Sequence, residues 1–239
     1  MPNNFSENEE EIIDEEILGE VVIVERSLFR KVLMGVVALV VIVGMLYMSG
    51  IYQSLFYQRT PQSASQEPIE PPSDLPTLTV PLTIFIITGY ERSGSVRKDE
   101  DVPRLVSNAS EILNQAAIKL TIKNIYTLSK SDEEIATFME TPAVFISDID
   151  EVDPLTINIF LTRNLWGING IAYLGLHAVA VADYTTVYDF RVLAHEVGHM
   201  LGLEHVSESD GRLMYREANG FALSPEEIEQ ARLKAQEFN

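Results

Sequence analysis

Residues 189–205 read DFRVLAHEVGHMLGLEH, and this stretch decides what kind of domain the chain can build. Three of the four histidines in the chain fall between His195 and His205. His195 and His199 are four residues apart, so on a helix they share one face, one turn from each other. Two imidazoles so placed can each turn a nitrogen toward one ion, and Zn²⁺ takes such ligands at ~2.0–2.1 Å in tetrahedral geometry. Glu196, beside the first histidine, can reach a water on that ion and take its proton as general base. Gly202 comes three residues after His199, and His205 three after Gly202. A continuing helix would carry His205 off the ligand face. A glycine at positive φ ends the helix and reverses the chain, so that His205 can return as third ligand. Three protein ligands leave one position for water, the arrangement of a catalytic rather than a structural zinc.

The pattern H-E-x-x-H-x-x-G-x-x-H, followed by Met214 in GRLMY, resembles the metzincin metallopeptidases, which carry a methionine turn beneath the metal. LMY followed by a helix opening with LSPEEI is similar to the matrixin branch, and GIAYLG is similar to the edge-strand region of the adamalysin branch. The resemblance is tight over 188–238 and architectural over 78–187. It implies an α+β domain with a twisted mixed five-stranded sheet and three main helices. It also implies a cleft along the edge strand and hydrolysis of peptide bonds in protein or peptide substrates. In that scheme His195, His199 and His205 hold one catalytic Zn²⁺, Glu196 is catalytic, and Gly202 and Met214 support the site. Val206 departs from the family, since most branches place Ser, Thr, Asp or Glu after the third histidine. Tyr215 directly follows Met214, as in matrixins, and is not expected to be a ligand. The second, structural zinc of matrixins cannot be built, because only His177 is left over, and a cysteine switch is impossible in a chain with no Cys.

The rest of the chain is organised by charge. The 239 residues carry 17 Lys+Arg and 36 Asp+Glu, a formal net charge of −19. That balance excludes the basic surface a nucleic-acid partner requires, and the lack of Cys excludes a disulfide framework and a Cys nucleophile. Residues 1–25 hold acids and no base; Arg26, Arg30 and Lys31 follow; then 32–58 carry no charge. Val32–Tyr52 meets the ~20 apolar residues needed to cross a bilayer. It is longer than a signal-peptide core and lacks a following A-x-A-like site. The three bases before the span, against Arg59 after it, place the N-terminus in the cytoplasm and the C-terminal part outside. The expected organisation is an acidic cytoplasmic tail (1–31), a single transmembrane helix (32–52), a Pro-rich linker (53–76) and a zinc peptidase domain (77–239), with a lipid bilayer as partner.

Within the outer domain, periodicity predicts strands at 78–88, 121–128, 155–162, 170–174 and 178–182. Helices are predicted at 103–120, 131–140, from 186 or 188 through 199, and at 224–238. Ser131 with Glu134, and Ser224 with Glu227, read as capping boxes. Asp148, Asp150, Glu151 and Asp153 form an acidic cluster that admits Ca²⁺ but lacks the EF-hand spacing, so a solvated loop is expected. His177 is expected to be a satisfied polar residue rather than a ligand. Trp166 is expected to pack its loop onto the domain, the alternative being a role lining the cleft. Asp74 could occupy the zinc from the linker, although an Asp in a Pro-rich segment is commonplace. Three rival readings remain: a non-catalytic peptide-binding ectodomain, an intramembrane protease, and a zinc clan whose third ligand is an acid such as Glu217. The intact Glu196 opposes the first. The charged neighbours Asp189, Arg191 and Glu204 oppose the second.

Overall fold

The computed structural model describes residues 31, 33–34, 75–89, 94–216 and 219–238. The chain divides into two units, Met1–Gln53 and Ser54–Asn239, and the fold below belongs to the second. Apart from Lys31, Leu33 and Met34, the expected tail and membrane span lie outside the described residues, as do most of the linker, with Asp74, and Glu217. Among the described residues no helix is long and apolar enough to cross a membrane.

Five strands form one sheet: β1 (Leu78–Gly89), β2 (Ile118–Lys130), β3 (Ile157–Thr162), β4 (Gly170–Tyr173) and β5 (Ala178–Ala182), in the order β2-β1-β3-β5-β4. All neighbours are parallel except β4, which runs antiparallel to β5 along the sheet edge. The helices are α1 (Val102–Leu113), α2 (Asp132–Glu140), α3 (Pro142–Ser147), α4 (Asp189–Met200) and α5 (Pro225–Ala235). The architecture is the expected mixed one, with the short α3 as an addition that the apolar periodicity of PAVFIS is too brief to announce.

Both sheet faces are covered, which is why β1, β3 and β5 read as continuous apolar runs. Leu82, Ile84 and Ile86 of β1 and Ile157, Ile159 and Leu161 of β3 pack with α1, α4 and α5. Phe85, Ile87 and Phe160 face the other way, onto Ile135, Phe138, Phe145 and Ile146 of α2 and α3. There Phe85 stacks on Phe160 with centroids 4.8 Å apart, and Phe138 lies 5.0 Å from Phe160. β5 supplies only Ala178, Ala180 and Ala182 to this face, leaving room for the rings.

Boundaries moved where the backbone found a stop that periodicity does not display. The predicted helix 103–120 ends at Leu113. A 3₁₀ turn follows, then Ala117 at φ 49, and β2 already begins at Ile118. Ala117 donates its N–H to Asn114 O and accepts from Leu78 N, so the reversal that delivers β2 beside β1 takes the apolar residues assigned to the helix tail. β3 starts at Ile157 rather than Leu155, because Asp153 accepts from Leu155 N and turns the chain. Both capping boxes form as read.

A buried ion network ties the loop after β1 to the start of α4. Arg97 Nε lies 2.8 Å from Asp183 Oδ1 and its Nη2 2.9 Å from Asp189 Oδ2, the first residue of α4. Asp183 also accepts from Ser95 Oγ and Val96 N. Burial alone would lower the Arg97 pKa, but the two carboxylates outweigh it and hold the guanidinium above its ordinary value. Removing one partner strands a buried charge. Arg97→Met is therefore expected to lower stability by about 3–5 kcal/mol in urea unfolding followed by circular dichroism. Lys234→Ala, at the exposed pair with Glu237, should cost under ~1 kcal/mol. A comparably small loss for both would refute the network's structural role.

Candidate metal centre

Helix α4 buries Val192, Leu193, Ala194, Val197 and Met200 in the core and carries His195, Glu196 and His199. Its end is set by hydrogen bonding. Gly202, at φ 82, donates to His199 O (3.0 Å), and Leu203 N donates to Gly198 O (2.9 Å). These are the paired bonds of a Schellman motif, with the glycine in its left-handed position. The turn sends Leu203 O back to His199 Nδ1 at 2.8 Å and brings His205 around to the two helical imidazoles.

The three Nε2 atoms converge. His205 Nε2 is 3.2 Å from His195 Nε2 and 3.1 Å from His199 Nε2. Ligands at ~2.0–2.1 Å in tetrahedral directions would stand about 3.3 Å apart. The tautomers follow from the partners. His195 Nδ1 donates to Leu213 O at 2.8 Å, and His199 Nδ1 donates to Leu203 O. Their Nε2 lone pairs therefore face the same point. His205 Nδ1 accepts from Arg216 Nε at 3.2 Å, so its Nε2 proton lies between those lone pairs, where a metal cation would be held. A metal held there would need the His205 proton on Nδ1, with Arg216 Nε giving up its hydrogen bond to that atom. Burial pushes His195 down to about 3 and lowers His199 and His205 as well. All three rings are thus neutral at physiological pH, the form a metal needs. The donor set fits zinc: three converging imidazoles, two of them with Nδ1 held by a backbone carbonyl. Among the described residues this is the one group of ligand atoms close enough to hold a metal.

Glu196 is 7% exposed, and no hydrogen bond to its carboxylate is made among the described residues. Burial pushes it up to about 8, opposed by the charge of Arg191. Met214 is fully buried beneath the helix, and a β-carbon on Gly198 would stand 2.9 Å from its sulfur. Gly198 is therefore a residue the site requires that the spacing argument passed over. The methionine loop is fastened at its ends, Val206 N to Met214 O (3.1 Å) and Leu213 N to Ala222 O (2.9 Å).

Arg191 is the second omission. It is 2% exposed, and its Nη2 donates to Leu213 O (2.6 Å) and Tyr215 O, while Nε reaches Gly220 O (3.4 Å). Burial lowers its pKa to about 10, with Glu196 opposing the fall. Leu213 O thus receives both Arg191 and His195. The signal was present in the sequence: Arg191, His195 and His199 recur every four residues on one helical stripe.

Other expectations fared differently. His177 is exposed at the start of β5, at φ 48, and its carbonyl accepts from Asn158. Trp166 does not pack its loop down; it is 57% exposed. The acidic residues 148–153 do not gather as a calcium site, and Asp153 pairs with Lys123 at 2.7 Å. His205 joins the two helical histidines, and Glu217 lies outside the described residues.

No protein-family model matches the sequence, and no curated protein matches it. Solved structures match it only at low identity and with TM-scores below 0.5. A chain in a chaperone–substrate complex is 16% identical, with TM-score 0.44, over 68% of this chain and 35% of that one. A zinc-dependent peptidase from Methanocorpusculum labreanum is 16% identical, with TM-score 0.35, over 64% and 99%. Metalloproteinase-II from Bacteroides fragilis is 18% identical, with TM-score 0.40, over 76% and 60%. The chain thus spans well under two thirds of the length of the first of these. The chemistry assigned to the site rests on the chain's own residues.

A left-handed residue with a branched β-carbon costs about 1–2 kcal/mol. Gly202→Val is expected to lose that stability and to bind zinc more weakly in chelator competition, whereas Gly202→Asn should retain most of both. Equal zinc affinity in all three proteins would show that the turn does not place His205.

Proposed function

We propose that the protein is a zinc-dependent endopeptidase of metzincin type, nearest the matrixin branch, acting on protein or peptide substrates. The observation that carries this is the convergence of the Nε2 atoms of His195, His199 and His205, two of them locked by backbone carbonyls, beside the buried carboxylate of Glu196, which accepts no hydrogen bond among the described residues. A bound zinc would supply Lewis acidity and lower the pKa of water to about 7. Glu196 takes the proton from the attacking water and passes it to the departing amine. Arg191 keeps a positive charge near that carboxylate, and burial of the helix excludes bulk water behind it. The outer edge of β4 is free of any strand partner in the sheet and can hold an extended peptide by main-chain hydrogen bonds.

The same proposal includes location. The uncharged run 32–58 and the bases before it support a single-pass membrane anchor with the N-terminus cytoplasmic and the catalytic domain extracytoplasmic.

Glu196→Gln is expected to keep stoichiometric zinc by elemental analysis and to lose roughly 10²–10⁴-fold in hydrolysis of an unfolded protein substrate. His205→Ala should lose the metal as well as activity. Hydrolysis undiminished in Glu196→Gln would sink the assigned base. A zinc-loaded wild type that binds peptides and cuts none would favour a peptide-binding ectodomain.

A further inference from the structure

β4 begins against the catalytic carboxylate: a β-carbon on Gly170 would lie 2.8 Å from Glu196 Cγ. The segment just before it is a tight hairpin turn. Leu165 bridges Ile168, Ile168 N donates to Leu165 O at 3.2 Å, and the two central residues, Trp166 (φ 50) and Gly167 (φ 97), are both left-handed. Its base is fastened on both sides. Leu165 is buried, and Asn169 exchanges hydrogen bonds with Thr186. Its tip is not: Trp166 is 57% and Ile168 42% exposed, and no ring stacks on the indole among the described residues. Turns of this kind favour Asn or Gly at the first central position. A bulky residue there is a strained outlier. Here the strain obtains no burial within the domain in return.

We infer that this hairpin is a substrate-docking element, in which Trp166 with Ile168 grips a bulky apolar side chain of the peptide. The inference rests on the endopeptidase reading. The peptide lies along β4, and the gripped side chain falls a few residues from the scissile bond. Trp166 is four residues before Gly170, so the tip stands at most ~14 Å from the point where Gly170 meets Glu196. A peptide that pairs with β4 and continues past Gly170 comes within reach of the exposed indole. A bilayer is the other surface that would take an exposed Trp and Ile. The contiguity of the hairpin with Glu196 favours the peptide, and so does the net negative charge of the outer residues, which opposes an anionic membrane.

Trp166 is the only tryptophan in the chain, so its emission reports this position alone. The test uses the full chain loaded with zinc and a series of quenched fluorogenic peptides in which one Phe is walked through a Gly–Ser–Ala background. In the Glu196→Gln protein, peptides with Phe at the favoured offset should shift Trp166 emission to the blue. In the otherwise wild-type protein, Trp166→Ala should raise KM for those peptides about tenfold and leave kcat within about twofold. Trp166→Phe should restore KM, and the peptide without Phe should be indifferent to all three side chains. Equal KM for wild type and Trp166→Ala at every Phe position overturns the inference and leaves the endopeptidase reading intact. An emission shift with phosphatidylcholine–phosphatidylserine vesicles and none with peptides also overturns it, in favour of lipid contact. If the zinc-loaded chain cleaves no peptide and Phe peptides still shift the emission, docking stands and the endopeptidase reading falls.

Discussion

Two backbone carbonyls, Leu203 O and Leu213 O, hold the centre together. Each accepts an imidazole Nδ1–H, from His199 and His195 respectively, and so turns the remaining nitrogen of that ring toward a common point. Each carbonyl is itself fixed by main-chain geometry. Leu203 sits in the Schellman turn created by Gly202. Leu213 sits in the loop that passes Met214 under Gly198. The ring directions therefore depend on how two chain reversals pack against one helix, and side-chain rotamers follow.

The electrostatics of the same region are costly, and the structure contains the cost locally. Arg191 is buried without a salt-bridge partner among the described residues. Its charge is instead divided over backbone carbonyls of the methionine loop. A buried cation so arranged contributes little net stability, but it pins the loop whose carbonyl orients His195. At the opposite end of α4, Arg97 performs a related task with carboxylates, joining Asp183 at the end of β5 to Asp189. The helix that bears His195 and His199 is thus clamped at its first turn by an ion network and along its length by the loop beneath it. The sheet provides the platform. β1 and β3, apolar on both faces, fix the interior, and β4, at the edge, keeps its outer hydrogen-bonding groups available beside Glu196.

The legibility of this arrangement varied with the range of the interaction. The five strands could be read from the β-branched run at 78–88, the alternation at 155–162 and short apolar stretches elsewhere. Two helix starts could be read from Ser131–Glu134 and Ser224–Glu227, because a capping box is completed within four residues. The end of α1 could not. Its apolar rhythm continues through Ala116, Ala117 and Leu120, and only pairing with Leu78 made Ile118 a strand residue. Trp166 carried the expectation of burial common to large aromatics, yet the hairpin that turns it outward is defined by a bridge between Leu165 and Ile168 and by the bonds from Asn169 to Thr186.

What the amino-acid order alone determined was the histidine constellation. The four-residue step from His195 to His199, the breaking glycine and the returning His205 lie within 11 residues, and helix geometry over so short a span leaves few arrangements open. What only the tertiary structure decided was the orientation and surroundings of those imidazoles. Leu213 as acceptor for both His195 and Arg191, Gly198 as the gap that admits Met214, and the hairpin beside Glu196 all join segments distant along the chain. Such contacts depend on how whole elements pack, and a local pattern of residue types carries no record of which distant carbonyl or side chain that packing will bring near.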